Sequence, residues 1–386
     1  MERARATRAA RRARTCYTGA SVKPFSLFAP CAPGLEPLLL AELEELGVRN
    51  AEALPGGVAW AGHHGAIYRA NLGLGLATQV RVRLGRFRAS KLPELRRKAR
   101  QLPWGPWVGE GGVDVRAVCK RSKLHHGGAV AERVAQAAAE AVGEVPIAEG
   151  ATRVLVRIVE NEVEVSVDTS GEPLHRRGYR LATAKAPLRE DLARALLRVS
   201  GWDAESPLVD PMMGAGTIAI EAALLARRLP PGGRRRFAFE DTPGFDAPRY
   251  AKVRAELEAK TRPALPFPIH GSDRDAGALE AARANAERAG VLADLRLREA
   301  SLSDAFAEVD GATALVTNPP WGARIGDGDA LRDLYASLGE LVRAREGLRL
   351  AFACGDPDLA RAVGLPIRSA LMTDAGGTKV RFFVGA

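Results

Sequence analysis

The sequence predicts an α/β fold in which a Rossmann-like, doubly wound parallel sheet follows two smaller α+β modules. From about Ala186, strand-like runs alternate with Gly-rich turns and helical runs, as in "PLVDPMMGAGTIAIEAALLA" and "FPIHGSDRDAGALEAARANAERAG". Strands that alternate with helices are typical of a parallel sheet with helices on both faces. Upstream, "RVLVRIVENEVEVSVDTSG" alternates apolar and polar residues around Glu160–Asn161, which indicates an antiparallel hairpin.

The first α+β module, residues 25–90, is predicted from four consecutive runs. These are a strand, an amphipathic helix, a short strand and a second helix: "FSLFAP", "GLEPLLLAELEELG", "GGVAWAG" and "HGAIYRANLGL". The second module, residues 91–171, begins with the basic helix "KLPELRRKARQLPW", closed by Pro103. The strand "VDVRAVCKR" and an Ala-rich helix between glycines then lead to the hairpin. We therefore expect two compact modules before the parallel sheet.

Residues 172–189 form the predicted linker, and residues 190–386 the Rossmann-like domain. Its last two runs, "IRSALMT" and "KVRFFVGA", surround Gly376–Gly377 and predict a closing hairpin with one antiparallel strand. Residues 229–266 are rich in Pro and Arg and too long for a connection between a helix and a strand. They predict an insertion in the domain.

The chain is basic. Its 386 residues carry 56 Lys+Arg against 46 Asp+Glu, a formal net charge of +10, which favours nucleic acid as the partner class. Residues 1–24 begin "MERARATRAARRART" and predict a disordered basic tail, although a transit peptide has a similar composition. The four cysteines lack zinc-site spacing, and no apolar run approaches the roughly 20 residues of a membrane span. We expect a cytoplasmic monomer without a metal.

Two turns of the parallel domain predict a nucleoside cofactor. In "DPMMGAGT", Gly214 and Gly216 allow close approach of the backbone to a ligand, and Thr217 opens a helix with a positively polarised N-terminus. In "GSDRD", Asp273 is placed to bind the two hydroxyls of a ribose, while Asp275 is either a second ligand or the N-cap of the next helix. Because no third glycine follows Gly216 in the dinucleotide pattern, a nicotinamide cofactor is disfavoured.

The stretch "TNPPWGARIG" follows the fourth strand of the domain and predicts chemistry on an aromatic amine. The side-chain oxygen of Asn318 and the carbonyl of Pro319 are two acceptors that can hold the hydrogens of an exocyclic NH₂ and aim its lone pair. Pro319 and Pro320 stiffen the loop, and Trp321 offers a face for stacking an extruded base. The alternatives are a rigid turn and a cysteine nucleophile, Cys354, for which a core role is favoured.

With these motifs, the chain resembles the class I S-adenosylmethionine-dependent RNA methyltransferases that carry a THUMP domain. It is most similar to the 23S rRNA guanine-N2 enzymes of the L type, and less to the tRNA guanine-N2 enzymes. The resemblance covers "FAPCAPGLEPLLLAELEELG", "SGEPLHRRGYR", "APLREDLARALLRVSGW" and the three motifs of the parallel domain. It implies a Rossmann-like class I methyltransferase domain preceded by ferredoxin-like and THUMP modules. The chain departs from some members of the family in carrying one catalytic domain, so we expect the second methyltransferase fused to it in some bacteria to be absent.

The resemblance further implies a role for each motif residue. Asn318 and Pro319 would hold the amine of the target guanine, and Trp321 would stack on its ring. The S-adenosylmethionine would be bound by Pro187, Leu188, Asp210, Pro211, Gly214, Gly216, Thr217 and Asp273. Asn318 is a further candidate cofactor ligand. The chain departs from the family at Ala300–Ser301, where an acid usually meets the adenine amine; Ser301 or Asp304 would substitute.

The RNA contacts are predicted from two basic groups. Lys120, Arg121 and Lys123 end a strand of the THUMP-like module, and the linker carries Arg176, Arg177 and Arg180, which either clamp phosphate or form a solvated hinge. The function expected is methylation of a guanosine N2, in 23S rRNA. Three alternatives remain open: a tRNA guanine-N2 enzyme, a DNA adenine-N6 methyltransferase, and an RNA-binding protein with an inactive catalytic fold.

Overall fold

The computed structural model describes residues 23–181, 188–321 and 328–385, so the predicted basic tail lies almost wholly outside the described residues. The described chain forms two seven-stranded sheets. The first sheet, with its helices, is built from β1 Phe25–Pro30, α1 Glu36–Glu45, β2 Glu52–Leu54, β3 Gly57–Gly62, α2 His64–Gly73, β4 Arg81–Arg88, α3 Leu92–Ala99, β5 Val113–Lys120, α4 Gly127–Val142, β6 Thr152–Val159 and β7 Glu162–Asp168.

These elements confirm the predicted helices and the hairpin. Glu160 and Asn161 connect β6 to β7 with positive φ angles of 53° and 65°, the backbone of a two-residue hairpin turn of type I′. Two strands were missing from the sequence prediction. One is the short β2, and the other is β4, "RVRLGRFR", whose arginines pair with acids of β7, as Arg83 does with Glu164 at 3.3 Å.

A single sheet crosses the boundary predicted between residues 90 and 91. Its strand order is β2-β3-β1-β4-β7-β6-β5, and β4 pairs antiparallel with β1 on one side and with β7 on the other. The two predicted modules therefore share a continuous hydrogen-bonded sheet. The division into a ferredoxin-like part and a THUMP module stays a prediction.

The second sheet carries the predicted doubly wound fold. Its elements are α5 Glu190–Val199, β8 Leu208–Asp210, α6 Thr217–Ala226, α7 Ala247–Glu258, β9 Ile269–Asp273, α8 Ala276–Ala289, β10 Leu295–Glu299, β11 Ala314–Thr317, α9 Gly328–Arg343, β12 Arg349–Cys354, α10 Pro357–Ala362, β13 Ile367–Asp374 and β14 Lys379–Gly385. The strand order is β10-β9-β8-β11-β12-β14-β13, with β14 antiparallel to both neighbours. The order reverses between β8 and β11, and such a switch point is where ligands bind in open α/β sheets.

The predicted insertion connects the second sheet to the first. Its helix α7 lies beside α2, where the rings of Tyr68 and Tyr250 are 5.5 Å apart and those of Tyr68 and Phe239 are 4.7 Å apart. Arg69 also forms an ion pair with Glu256. The insertion therefore packs as a bridge between the two sheets.

A buried ionic network lies at the same junction. Glu42 of α1 accepts hydrogen bonds from the amides of Gly75 and Leu76 and, at 3.0 Å, from Arg194 of α5. The other side of Arg194 faces Glu221 of α6, with 3.7 Å between nitrogen and oxygen. Buried charges are stabilised only by close partners, so this network fixes how the sheets pack together. Within the described residues, no helix has the length and apolarity needed to cross a membrane.

Candidate functional site

The carboxyl ends of β8 and β11 bring two predicted motifs together. The strands are parallel neighbours in which Ala314 pairs with Leu208 and Leu315 with Val209. As a result, the turn that begins at Asp210 and the loop that begins at Asn318 leave the sheet side by side. The hydroxyl of Thr317 donates a 2.8 Å hydrogen bond to Oδ1 of Asp210, which ties the two loops to each other.

Asp210 is the most perturbed acid of the site. Its side chain is 1% exposed, and burial, together with the negative charge of Asp273, raises its pKa to about 7. Oδ1 also accepts from the amide of Met212 at 3.3 Å. Oδ2 is buried and has no hydrogen-bond partner among the described residues. A buried carboxylate with a free oxygen is suited to bind a cation or another hydrogen-bond donor.

The Gly-rich turn is shaped by two left-handed residues. Gly214 has φ 51° and Gly216, the N-cap of α6, has φ 82°, a region that residues with a Cβ rarely adopt. A Cβ on Gly216 would also lie 3.0 Å from the Cβ of Ala282 on α8. Gly216 therefore serves backbone geometry and helix packing, while Thr217 is the buried first residue of α6.

Asp273 connects this turn to the end of β9. Its Oδ2 accepts from the amide of Gly214 at 2.9 Å, and its Oδ1 from the amide of Asp275 at 3.1 Å. Each carboxylate oxygen has a second lone pair, so Asp273 can still accept from the hydroxyls of a ribose. Asp275 was predicted to be either a second ligand or the N-cap of the next helix, and in the structure it is the exposed N-cap of α8. Its Oδ1 accepts from the amides of Gly277 and Ala278.

Side-chain packing and hydrogen bonds fix the loop after β11. Pro319 is buried, and the indole of Trp321 donates a long, 3.4 Å hydrogen bond to Oδ1 of Asn318. A Cβ on Gly355 would come within 2.6 Å of the Trp321 ring, so the glycine makes room for it. The hydroxyl of Tyr335 lies 3.4 Å from the carbonyl of Pro320. The rest of the motif, 322–326, lies outside the described residues.

Family models match both parts of the chain. The model of the RlmL ferredoxin-like domain matches residues 26–81, and that of the RMKL-like methyltransferase domain matches residues 177–365. A putative RNA methyltransferase of Synechocystis, slr0064, is 31% identical, and the similarity covers 94% of this chain and 96% of that protein. This chain belongs to the RlmL-like class I methyltransferases.

Further relatives of this RlmL-like chain agree. The ribosomal RNA large subunit methyltransferase K/L of Syntrophotalea carbinolica is 36% identical over 369 residues, which are 89% of this chain but 51% of that protein. The chain thus spans about half the length of the K/L relatives. Two solved structures superpose on this chain with a TM-score of 0.85. SMU.472, a putative methyltransferase complexed with SAH, is 28% identical, and the match covers 94% of this chain and 98% of that one. A predicted N6-adenine-specific DNA methylase of Listeria monocytogenes is 30% identical, and the match covers 94% of this chain and 97% of that one.

In this RlmL-like fold Cys354 is a core residue, as expected from the sequence. Its side chain is fully buried, and burial raises the pKa of its thiol, which opposes formation of the thiolate that a nucleophile requires. Its sulfur lies 3.3 Å from the hydroxyl of Tyr335. Cys354 therefore packs behind the loop that begins at Asn318. In the described part of the chain, no cluster of His, Cys, Asp and Glu is arranged to hold a metal ion.

The remaining predicted cofactor ligands lie after β10, beside Asp210 and in the linker. Ser301 is exposed after β10 and donates a 2.6 Å hydrogen bond to Asp304, so these two candidates for the adenine contact form one polar pair. The amide of Ala300 donates to the carbonyl of Asp273, which keeps this turn beside the ribose candidate. Leu188 is buried, Pro211 is buried next to Asp210, and Pro187 lies outside the described residues.

The linker arginines do not form one phosphate clamp, which corrects the sequence expectation for two of them. Arg177 is 3% exposed, and its nitrogens donate to Glu221 and to the carbonyls of Leu174 and Gly75. Arg180 is largely buried beside Glu190, with 3.3 Å between nitrogen and oxygen. Both guanidinium groups are therefore bound to protein groups in the packing between the sheets. Arg176 is exposed and forms an ion pair with Glu172.

The basic group at the end of β5 is exposed. Lys120 is the last residue of β5, and Arg121 and Lys123 follow it beside the hairpin turn, where Arg121 lies 3.1 Å from Glu160. Sequence reasoning did not find Glu221, which anchors Arg177 and faces Arg194. The signal available was a lone acid inside the apolar helix "TIAIEAALLA". A buried acid of this kind requires a partner, but the sequence does not say which arginine supplies it.

Proposed function

We propose that the chain is an S-adenosylmethionine-dependent RNA methyltransferase that transfers a methyl group to the exocyclic N2 amine of a guanosine in 23S rRNA. The observation that carries the proposal is the hydrogen bond from Thr317 to Asp210, because it joins the amine-binding loop to the Gly-rich cofactor turn. The names of the relatives support RNA as the substrate, since both the K/L proteins and slr0064 are called RNA methyltransferases.

The residues of the Gly-rich turn fit S-adenosylmethionine, whose sulfonium supplies an electrophilic methyl group. The unpartnered Oδ2 of Asp210 suits the ammonium of the methionine part. Asp273 would accept from the ribose hydroxyls, and the pair of Ser301 and Asp304 from the adenine amine. The SAH in the SMU.472 structure supports this cofactor.

The amine loop would act by position rather than as a general base. The lone pair of an aromatic amine is delocalised, so two acceptors on its hydrogens favour a pyramidal nitrogen with a directed lone pair. Asn318 Oδ1 and the carbonyl of Pro319 would be these acceptors, and Pro320 keeps the loop stiff. The weak hydrogen bond from Trp321 to Asn318 would be replaced by one from the target amine, leaving the indole free to stack on the flipped base.

RNA would be gripped by the N-terminal half of the chain. We assign residues 91–171 as a THUMP module, in which the exposed Lys120, Arg121 and Lys123 contact phosphates, with Arg176 of the linker as a further contact. Residues 25–90 would be the ferredoxin-like part, residues 172–189 the linker, and residues 190–386 the methyltransferase domain with its insertion at 229–266. The enzyme would act in the cytoplasm as a monomer.

Two other substrates share the same chemistry. The resemblance to tRNA guanine-N2 enzymes leaves tRNA as the first, because the amine loop does not distinguish one RNA from another. The Listeria relative called a DNA adenine methylase supports the second, since "NPPW" can hold any aromatic amine. The match of residues 26–81 to the RlmL ferredoxin-like domain favours rRNA over both.

The substrate is tested by supplying methyl-labelled S-adenosylmethionine to the purified protein with unmodified 23S rRNA, tRNA or double-stranded DNA in parallel. Label in 23S rRNA alone is the expected result, and Asn318→Ala is the inactive control. Label in tRNA alone would replace the rRNA assignment. Label in DNA, or in none of the three, would contradict an RNA methyltransferase.

A further inference from the structure

A cavity of about 560 Å³ lies away from the carboxyl ends of the strands, among the linker, the insertion and α8. Its wall includes the linker residues Gly178 and Tyr179, and Leu224 near the end of α6. Four arginines line it. Arg177 is already bound to Glu221, and the other three, which the site described above does not use, are Arg234 and Arg254 of the insertion and Arg288 of α8. The volume is in the range of pockets that hold a small ligand or a group of a larger one.

The arginines of this cavity are held mainly by backbone carbonyls. Arg288 donates from Nε to the carbonyl of Tyr179 at 2.8 Å, and Arg234 donates to the carbonyl of Arg288 at 2.9 Å. Arg254 donates to the carbonyl of Gly233 at 3.0 Å and pairs with Glu258 at 2.8 Å. A carbonyl fixes the guanidinium plane without cancelling its charge, so the orientation exists before any ligand arrives.

The cavity therefore has an excess of positive charge. Among the described residues, neither Arg234 nor Arg288 has a carboxylate within ion-pair distance, and Glu258 is the acid that lines the wall. Like charges held near each other in a partly enclosed space repel, and an anion between them removes that repulsion. Guanidinium groups with free N–H donors match the oxygens of a phosphate.

The position of the cavity suits a phosphate of a bound nucleic acid. Helix α6 begins with Thr217 at the cofactor turn and reaches the cavity wall at Leu224, about 10 Å along its axis at 1.5 Å per residue. Arg288 lies twelve residues from Ala276 at the start of α8, about 18 Å along the helix axis, so a phosphate bound here would belong to a nucleotide several positions from the base in the amine loop.

We infer that this cavity binds a backbone phosphate of the RNA substrate several nucleotides from the target guanosine, with Arg234 and Arg288 as the principal contacts. The inference rests on the proposed function, because it takes RNA to be the ligand. It adds a contact outside the THUMP-like module, made by the insertion and α8. Their joint role would be to fix the substrate backbone relative to the amine loop.

The test compares Arg234→Gln and Arg288→Gln with Arg236→Gln. Arg236 is the matched control because it is exposed, belongs to the same insertion, pairs with Asp241 and does not line the cavity. The dissociation constant of transcribed 23S rRNA is measured by filter binding over a range of salt concentrations. Each cavity variant should weaken binding about five- to eightfold near 0.1 M salt and reduce the salt slope by about 0.7–0.9, the effect of one lost phosphate contact.

Calorimetry with S-adenosylmethionine checks each variant, and its affinity should not change. RNA affinity and salt slope equal to wild type in both cavity variants would overturn the inference, as would an equal loss in Arg236→Gln. A separate experiment titrates the protein with inorganic phosphate and with AMP. If binding is saturable and is lost in the cavity variants while their RNA affinity is unaltered, the ligand of the cavity is a small phosphorylated molecule and not RNA. Because RNA binding is measured without turnover, failure of methylation would contradict the proposed function while this comparison still decides the role of the cavity.

Discussion

At the scale of single residues, the roles of Asn318 and Asp210 can be separated. Asn318→Ala removes an acceptor from the reacting amine, so we expect the rate of methyl transfer under saturating substrates to fall by about 10²-fold or more. The affinity for S-adenosylmethionine, measured by calorimetry, should stay unchanged. Asn50→Ala is the control, because Asn50 is exposed and donates to Ala61 in the first sheet. Turnover close to wild type in Asn318→Ala would remove Asn318 from the mechanism.

Asp210 gives a prediction about pH. Its pKa is raised by burial from 3.8 to about 7, so below pH 7 the carboxyl is largely neutral and attracts an ammonium weakly. The affinity for S-adenosylmethionine should therefore increase as the pH rises through about 7, and Asp210→Asn should abolish that dependence. Calorimetric titrations at several pH values on both proteins measure this. The same dependence in both proteins would contradict the assignment of Asp210 to the cofactor.

The same pKa shift affects stability. A carboxyl whose folded pKa lies above its unfolded value favours the folded state when protonated, so this contribution is lost as the pH rises from about 4 to about 7. Asparagine resembles the neutral acid at every pH. The melting temperature of Asp210→Asn relative to wild type should therefore be higher at pH 8 than at pH 4. A difference that does not vary with pH would show that Asp210 titrates normally.

At the scale of elements, the N-terminus of α6 depends on Gly216. An alanine there must adopt φ near 82° and place its Cβ 3.0 Å from that of Ala282, so we expect a loss beyond the roughly 1–2 kcal/mol of a left-handed residue. Gly311→Ala is the matched control, because Gly311 has φ 65° but open space around it. Urea unfolding should show a larger decrease for Gly216→Ala. Equal decreases would mean that contact with α8 contributes nothing.

Local patterns predicted most elements because their causes are local. The hairpin at Glu160–Asn161 was recognised from alternation and turn residues, and the positive φ angles there confirm the reason. Strand β4 was missed because its four arginines resemble a solvated surface segment. Those arginines become strand residues only when the acids of β7, nearly 80 positions later, lie opposite them. Pairing at that distance also joined the two predicted modules into one sheet.

The site, like the fold, could be predicted from the sequence only where its causes are local or follow from the strand order. Asp210, Asp273 and Asn318 follow predicted strands, and parallel strands end at one edge of the sheet, so their proximity follows from topology. The burial of Arg177 could not be predicted, because it depends on Glu221 of α6, which lies 44 positions later in the chain. A basic cluster in a sequence therefore does not distinguish an RNA contact from a buried ion pair.

At the scale of the whole molecule, Arg194 holds the two sheets together. It lies between Glu42 and Glu221 and passes so close to Gly75 that a Cβ there would be 2.2 Å from its Cδ. Arg194→Met leaves both acids buried without this partner, and we expect a loss of about 3–5 kcal/mol. The exposed pair of Arg361 with Asp358 provides the control, Arg361→Met, which should change stability far less. Similar urea midpoints for the two variants would contradict a supporting role for the network.

The central claim is that the loop of Asn318 presents an exocyclic amine of an RNA base for methylation. Its most direct test is to let the protein methylate RNA, digest the product to nucleosides, and identify the methylated species by mass spectrometry against standards. N2-methylguanosine is the predicted product. A methyl group on a ring carbon, such as C5 of a pyrimidine, or on a ribose hydroxyl would contradict the account, because neither atom belongs to an aromatic amine.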